Sequence, residues 1–117
     1  MHELGVVFYV IDAVKETAEE NAVETVESVT LQIGEVTGIV NDMLIDCWNW
    51  ARKREPVLQK AELIIEPVKA VTYCESCQQT YSTTAYGKIC PYCKSPHTYL
   101  VSGNEFIVQE IAVPDNP

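Results

Sequence analysis

Positive charge is what this chain has least of. Eight Lys and Arg stand against seventeen Asp and Glu in 117 residues, a net charge of −9. A surface of that sign repels polyphosphate backbones and anionic membranes over about a Debye length, which argues against nucleic acid or a membrane as partner and favours a cationic metal or a basic protein surface. Long apolar runs are also missing. The longest near the start, LGVVFYVI, is too short to span a bilayer, and no positively charged stretch precedes it as in a secretory signal, so a cytoplasmic protein is expected. There is no internal repeat, no low-complexity tract and no nucleophile paired with a base, and therefore no expectation of an enzyme. Histidine occurs only at His2 and His97. What remains, 47% hydrophobic and 21% charged residues, is enough for one domain, or one compact domain with a small insertion, around a modest core.

From Leu4 onward, apolar residues recur at Val7, Phe8, Ile11, Val14 and Ala18, one stripe of an amphipathic helix that ends near Asn21. Asp12, Lys15, Glu16, Glu19 and Glu20 occupy the opposite face. The stretch SVTLQIGEV alternates, with Val29, Leu31 and Ile33 against Thr30 and Gln32, as in a half-buried strand. NDMLIDCWNWARKR predicts a second helix. Asn41 or Asp42 can cap it, Leu44, Cys47, Trp48 and Ala51 form its buried stripe, and Arg52, Lys53 and Arg54 suit the negative end of its dipole. AELIIEPV reads as a strand that Pro67 confines to an end or an edge. SGNEFIVQEIAV supplies a Gly-Asn turn and a last strand from about Glu105. The expected fold class is α+β: a small β-sheet packed with two helices, plus an inserted four-cysteine, zinc-ribbon-like module. The expected domains are 1–67 with 104–117, and 68–103.

CESC and CPYC place Cys74 and Cys77, then Cys90 and Cys93, in two Cys-x-x-Cys pairs separated by twelve residues. Each turn can direct two thiolates at one ion, and a returning hairpin of that length delivers the other pair to complete a closed tetrahedron. Zinc is the default, in a structural role, since four thiolates leave no position open for water or substrate. A four-thiolate iron site of rubredoxin type uses the same ligands, and two disulfides are the remaining rival, disfavoured in a reducing compartment. Tyr73, Tyr81, Tyr86, Tyr92 and Tyr99 lie in or beside this loop and can cover a module too small to build its own core. The fifth cysteine, Cys47, reads as a small buried hydrophobe on the second helix.

The start, Met1-His2-Glu3, offers a second metal constellation. With Met1 retained, the α-amine, the His2 amide nitrogen and His2 Nδ1 can close a five- and a six-membered chelate ring on one ion. Amide deprotonation restricts that ion to Cu(II) or Ni(II), which bind nitrogen strongly and accept square-planar geometry. Glu3 and His97 are candidates for the fourth donor.

MHELG, LQIGEVTGIV, LIIEPVKAVTYCESCQQTY, CPYC and VSGNEFIVQEI occur in this order, and the chain resembles the HypA/HybF family nearly from end to end. These are nickel metallochaperones of NiFe-hydrogenase maturation. The resemblance implies Ni(II) held transiently at His2, with Met1 and Glu3 contributing main-chain nitrogens, and Zn(II) at Cys74, Cys77, Cys90 and Cys93. It further implies a HypB-type GTPase and the immature hydrogenase large subunit as partners, with urease maturation served in some bacteria; the sequence leaves monomer and homodimer both open. Gly5 stands where serine is frequent in the family, and Thr37 replaces the serine of its Gly-Glu-x-Ser-Gly stretch. The rival reading is a zinc-ribbon adaptor that binds proteins and no nickel.

Overall fold

The computed structural model describes residues 3–114. Helix α1 spans Glu3–Glu20, strand β1 Ser28–Gly34 and helix α2 Asn41–Ala51, which runs on into 3-10 turns at Arg52–Arg54 and Pro56–Leu58. Strands β2 (Glu62–Val68), β3 (Val71–Cys74) and β4 (Thr80–Ser82), the short helix α3 (Thr83–Tyr86), and strands β5 (Thr98–Ser102) and β6 (Phe106–Ala112) follow. The fold is α+β, but with two three-stranded sheets, ordered β2-β1-β6 and β4-β3-β5. The second sheet lies inside the cysteine module, where only a hairpin was expected. The chain divides into two compact units. One comprises 3–31, 39–66 and 107–114, and the other 32–38 and 67–106.

In the first unit, α1 buries Val6, Val7, Val10, Ile11, Val14 and Ala18. The predicted stripe included Leu4 and Phe8, and both are exposed. Apolar residues occur on two adjoining faces of this helix, so spacing alone leaves its rotation open, and the β-branched face at 6, 10 and 14 is the one that turns inward. The helix ends in a Schellman motif. Val23 N–H donates to Ala18 O (2.8 Å) and Ala22 N–H to Glu19 O (3.2 Å), with Ala22 in the left-handed region at φ 53°, a position that favours glycine.

Helix α2 buries Leu44, Trp48 and Ala51, while Cys47 is only half-buried. Val40, not Asn41 or Asp42, occupies the N-cap, and no side chain caps the turn; Asp42 instead places its charge within the first turn, where the dipole is positive. Trp48 is 1% exposed, and its indole donates to the Ala61 carbonyl at 3.0 Å, which gives the one polar atom of a large buried ring a partner. Beyond the helix, Arg52 Nη1 donates to Gln59 O (2.7 Å), and Gln59 Nε2 donates to the carbonyls of Lys53 and Glu55 (2.9 Å each). These bonds satisfy the carbonyls left over where the helix stops. Lys15 pairs with Glu55 at 2.9 Å. Pro67 falls within β2, which lies at a sheet edge as its missing N–H requires.

In the second unit, β3 pairs antiparallel with β4 (Tyr73 opposite Thr80) and with β5 (Tyr73 opposite Tyr99, Cys74 opposite Thr98). Segment 32–38 belongs to this unit, and Gly34 and Glu35 explain why. Glu35 accepts the Ala70 N–H on its carboxylate at 2.6 Å, while its own N–H donates to Val68 O. Gly34 lies so close to Gly103 that a Cβ there would sit 1.9 Å from the Gly103 carbonyl oxygen. Gly103 is itself at φ 115°, with room for no side chain against Ala70. The Gly-Glu pair thus pins the two strands that carry the cysteine module.

Candidate metal centre

The two Cys-x-x-Cys turns have the same backbone path. In the first, Gln78 N–H donates to Cys74 O (2.9 Å) and Cys74 N–H to Gln79 O (2.9 Å). In the second, Lys94 N–H donates to Cys90 O (2.9 Å) and Cys90 N–H to Ser95 O (3.1 Å). The residue after each second cysteine is left-handed, Gln78 at φ 61° and Lys94 at φ 65°. That twist brings the N–H of Gln79 to the Cys77 sulfur and the N–H of Ser95 to the Cys93 sulfur. Backbone donors aimed at sulfur stabilise thiolate over thiol.

β3 delivers the first turn and the hairpin through α3 returns the second, so that all four Sγ atoms lie within 4.8 Å of one another. Across the turns, Cys74 and Cys93 sulfurs are 3.5 Å apart and Cys77 and Cys90 sulfurs 3.6 Å. A tetrahedral ion with metal–sulfur bonds of about 2.3 Å sets sulfur–sulfur edges of about 3.8 Å, whereas a disulfide requires about 2.05 Å. All five cysteines are free thiols. The donor set and its spacing fit a single four-thiolate metal, and the two-disulfide alternative does not describe this arrangement.

Burial and mutual proximity put the thiols in conflict. Burial is the largest influence on Cys77 and pushes its thiol up to about 12, with Cys90 adding to the rise and the Gln79 N–H opposing it. Burial acts in the same direction on Cys90, but the N–H groups of Cys93 and Tyr92, together with the thiols of Cys77 and Cys93, outweigh it and the thiol falls to about 7. At Cys93 the Ser95 N–H lowers, yet burial and the thiols of Cys74 and Cys90 prevail and hold it above its ordinary range. Four thiolates cannot share this volume without a cation. A divalent ion removes the conflict by replacing the protons.

Cys74 and Cys90 are fully buried and pack with Tyr81, whose hydroxyl donates to Gly87 O at 2.8 Å. Ser76 Oγ and Ser95 Oγ, 2.8 Å apart, link the two turns directly. Tyr73 and Tyr99 pack with their rings tilted at 50° and their centroids 5.3 Å apart. Tyr86, Tyr92 and Tyr99 are exposed, so of the five tyrosines expected to cover the module, Tyr81 alone is buried. His97 is exposed in the segment leading to β5, with its carbonyl accepting the Glu75 N–H, and it stands outside the cluster of four sulfurs. Met1 and His2 lie outside the described residues, and Glu3 is the first residue of α1. The anchoring roles of Gly34, Glu35 and Ser95 were not read from the sequence. A Gly-Glu pair closing a strand was the available signal for the first two.

A family model described as "Hydrogenase/urease nickel incorporation, metallochaperone, hypA" matches residues 1–113. The hydrogenase maturation factor HypA of Chlorobaculum parvum is 34% identical over 113 residues, covering 97% of this chain and 99% of its own. That of Desulfatibacillum aliphaticivorans is 33% identical over 116 residues, covering 98% and 88%. The solution structure of the Ni metallochaperone HypA from Helicobacter pylori superposes with a TM-score of 0.70 at 25% identity, over 97% of each chain. The match to the family runs through the start of the chain, both helices and both cysteine pairs, and the protein accordingly belongs to the HypA family of hydrogenase maturation metallochaperones.

Proposed function

We propose that this chain carries Ni(II) and hands it, with a HypB-type GTPase, to the immature large subunit of a NiFe hydrogenase in the cytoplasm. Nickel is cargo. Its ligands are the Met1 amine, the His2 amide nitrogen and His2 Nδ1, with Glu3 supplying a further main-chain nitrogen or carboxylate and His97 a candidate fourth donor. Zn(II) at Cys74, Cys77, Cys90 and Cys93 holds the second unit together and takes no part in transfer. No turnover is expected of either site. The observation that supports the reading best is the family match over residues 1–113, which includes the Met-His-Glu start together with the paired cysteines. A chelate built on an amine and an amide is suited to delivery because reprotonation of either nitrogen loosens the ion.

The test is nickel titration of protein with a native, untagged start, followed by absorption spectroscopy and by zinc analysis. His2→Ala is expected to abolish tight nickel binding and the square-planar d–d band while zinc content stays unchanged. Unchanged nickel affinity in that variant refutes the assignment. One residue added before Met1 shifts the chelate register and has the same expected effect, whereas a zinc-ribbon adaptor would be indifferent to it.

A further inference from the structure

The net charge is unevenly placed. The helical unit, with its terminal residues, carries fourteen Asp and Glu against five Lys and Arg, and the four-cysteine unit three against three. The whole −9 therefore belongs to the helical unit. Four of its five cations, Arg52, Lys53, Arg54 and Lys60, lie just past α2, and the fifth, Lys15, is paired with Glu55. The flank of α1 away from that pair keeps its acids, Glu16 and Glu20, both exposed.

This flank borders the edge of a sheet. β6 is the terminal strand of β2-β1-β6, and β1 is its only strand neighbour among the described residues. Its other edge presents main-chain donors and acceptors, a template for one more strand. Between that edge and α1 run two adjoining cavities. One, of about 360 Å³, is lined by Ala13, Thr17, Val108, Gln109, Glu110 and Ile111. The other, of about 190 Å³, shares Thr17 and Ile111 and continues past Val23, Val26 and Val113. The groove is apolar inside and acidic at its rim, with Glu16 and Glu20 beside Ala13 and Thr17 by helical spacing and Glu110 on the strand.

We propose that the β6 edge and this groove form a docking site for an extended, basic segment of another protein, which adds to the sheet as a fourth strand. Main-chain bonds to β6 supply affinity, alternate apolar side chains enter the groove under α1, and Lys or Arg answer the acidic rim. A basic segment fits because the groove is rimmed by Glu16, Glu20 and Glu110, has no Lys or Arg in its lining and lies on the unit that holds the excess negative charge, and rim charges govern encounter and partner choice. The inference does not depend on the nickel reading.

The test uses the zinc-loaded full chain and a labelled peptide of about eight residues that alternates Val with Lys, long enough to follow β6. Three comparison measurements accompany it: the peptide with alternate backbone amides N-methylated, the peptide with Glu in place of Lys, and amide NMR of the complex. The parent peptide is expected to bind with shifts confined to residues 13–21, the last turns of α1 and the residue after it, and to β6. N-methylation and the Glu sequence should each cost about tenfold or more in affinity, as should Thr17→Arg, which fills the groove from an exposed helical position, and Glu110→Lys. Circular dichroism and zinc content check that both variants fold. Equal binding of the N-methylated peptide, or shifts spread over other acidic surfaces, overturns the proposal by showing charge attraction without strand addition. Absence of binding overturns it outright. Protection of the β6 edge by self-association as protein concentration rises also overturns it, because a second copy would then be the occupant.

Discussion

Gly34→Ala is expected to unfasten the cysteine unit. A Cβ built at Gly34 lies 1.9 Å from Gly103 O, 2.0 Å from Gly103 C and 2.6 Å from Asn104 N, all backbone atoms with no rotamer to change. Ordinary contact begins near 3.4 Å, so the 103–104 backbone must retreat by about 1.5 Å. That movement takes two bonds out of range: Val36 N–H to Gly103 O at 2.8 Å and Gly34 N–H to Glu105 O at 2.9 Å. At about 1 kcal/mol net for each, plus about 1–3 kcal/mol for overpacking, the substitution should destabilise by ~3–5 kcal/mol. Urea-induced release of zinc to a chromophoric chelator reads the cysteine unit, and Trp48 and Trp50, both in the helical unit, report separately by fluorescence. Gly5→Ala is the control. No atom lies within 4 Å of its added Cβ, and in an exposed helical turn it should stabilise by about 1 kcal/mol. A Gly34→Ala protein that releases zinc within about 0.5 kcal/mol of the parent would falsify the close-approach argument.

Two further outcomes concern the buried indole and the cysteine cluster. Trp48→Phe removes the donor to Ala61 O and leaves space in a site that is 1% exposed; a loss of about 2–4 kcal/mol is expected in urea unfolding, with Trp50 as the remaining probe, and a change under about 1 kcal/mol would contradict the role given to the indole. Metal uptake by the cysteine cluster should release protons and strengthen as pH rises, because Cys77, held up at about 12, and Cys93, also raised, are protonated near neutrality and must give up those protons to the ion. Cys90, lowered to about 7, contributes a smaller release above neutral pH. Calorimetry of zinc binding in two buffers of different ionisation enthalpy counts the protons, and identical heats would exclude thiolate ligation.

The cysteine pairs were legible because their chemistry is local: two thiols on one turn need only a fixed spacing, and the return of the second pair is set by loop length. Helices α1 and α2 were legible from periodicity, to within a residue at α1. The rotation of α1 was not, since Leu4 and Phe8 compete with Val6 and Val10 for the interior and only the packed partners decide. Nor was the division of roles around Gly34. Glu35 reaches Ala70 and Gly34 meets Gly103, contacts between residues far apart in sequence that no pattern of hydrophobicity announces. Strand β5 was hidden for a related reason. It is a five-residue strand whose alternation of half-buried and exposed positions was taken up into the reading of the loop around the cysteines.

The repeated path of the two Cys-x-x-Cys turns makes their sequences interchangeable parts. Transposing CESCQQ and CPYCKS would carry the left-handed positions and the sulfur-facing amides along unchanged. It would also move both serines of the link between the turns, from 76 to 92 and from 95 to 79, which places the two hydroxyls at the mirrored positions. Resistance would come from one atom: proline at position 75 has no hydrogen to give the His97 carbonyl, which Glu75 now satisfies at 3.0 Å. The asymmetry of this centre thus resides in the strand beside the first turn, and the turns themselves are copies of a single design.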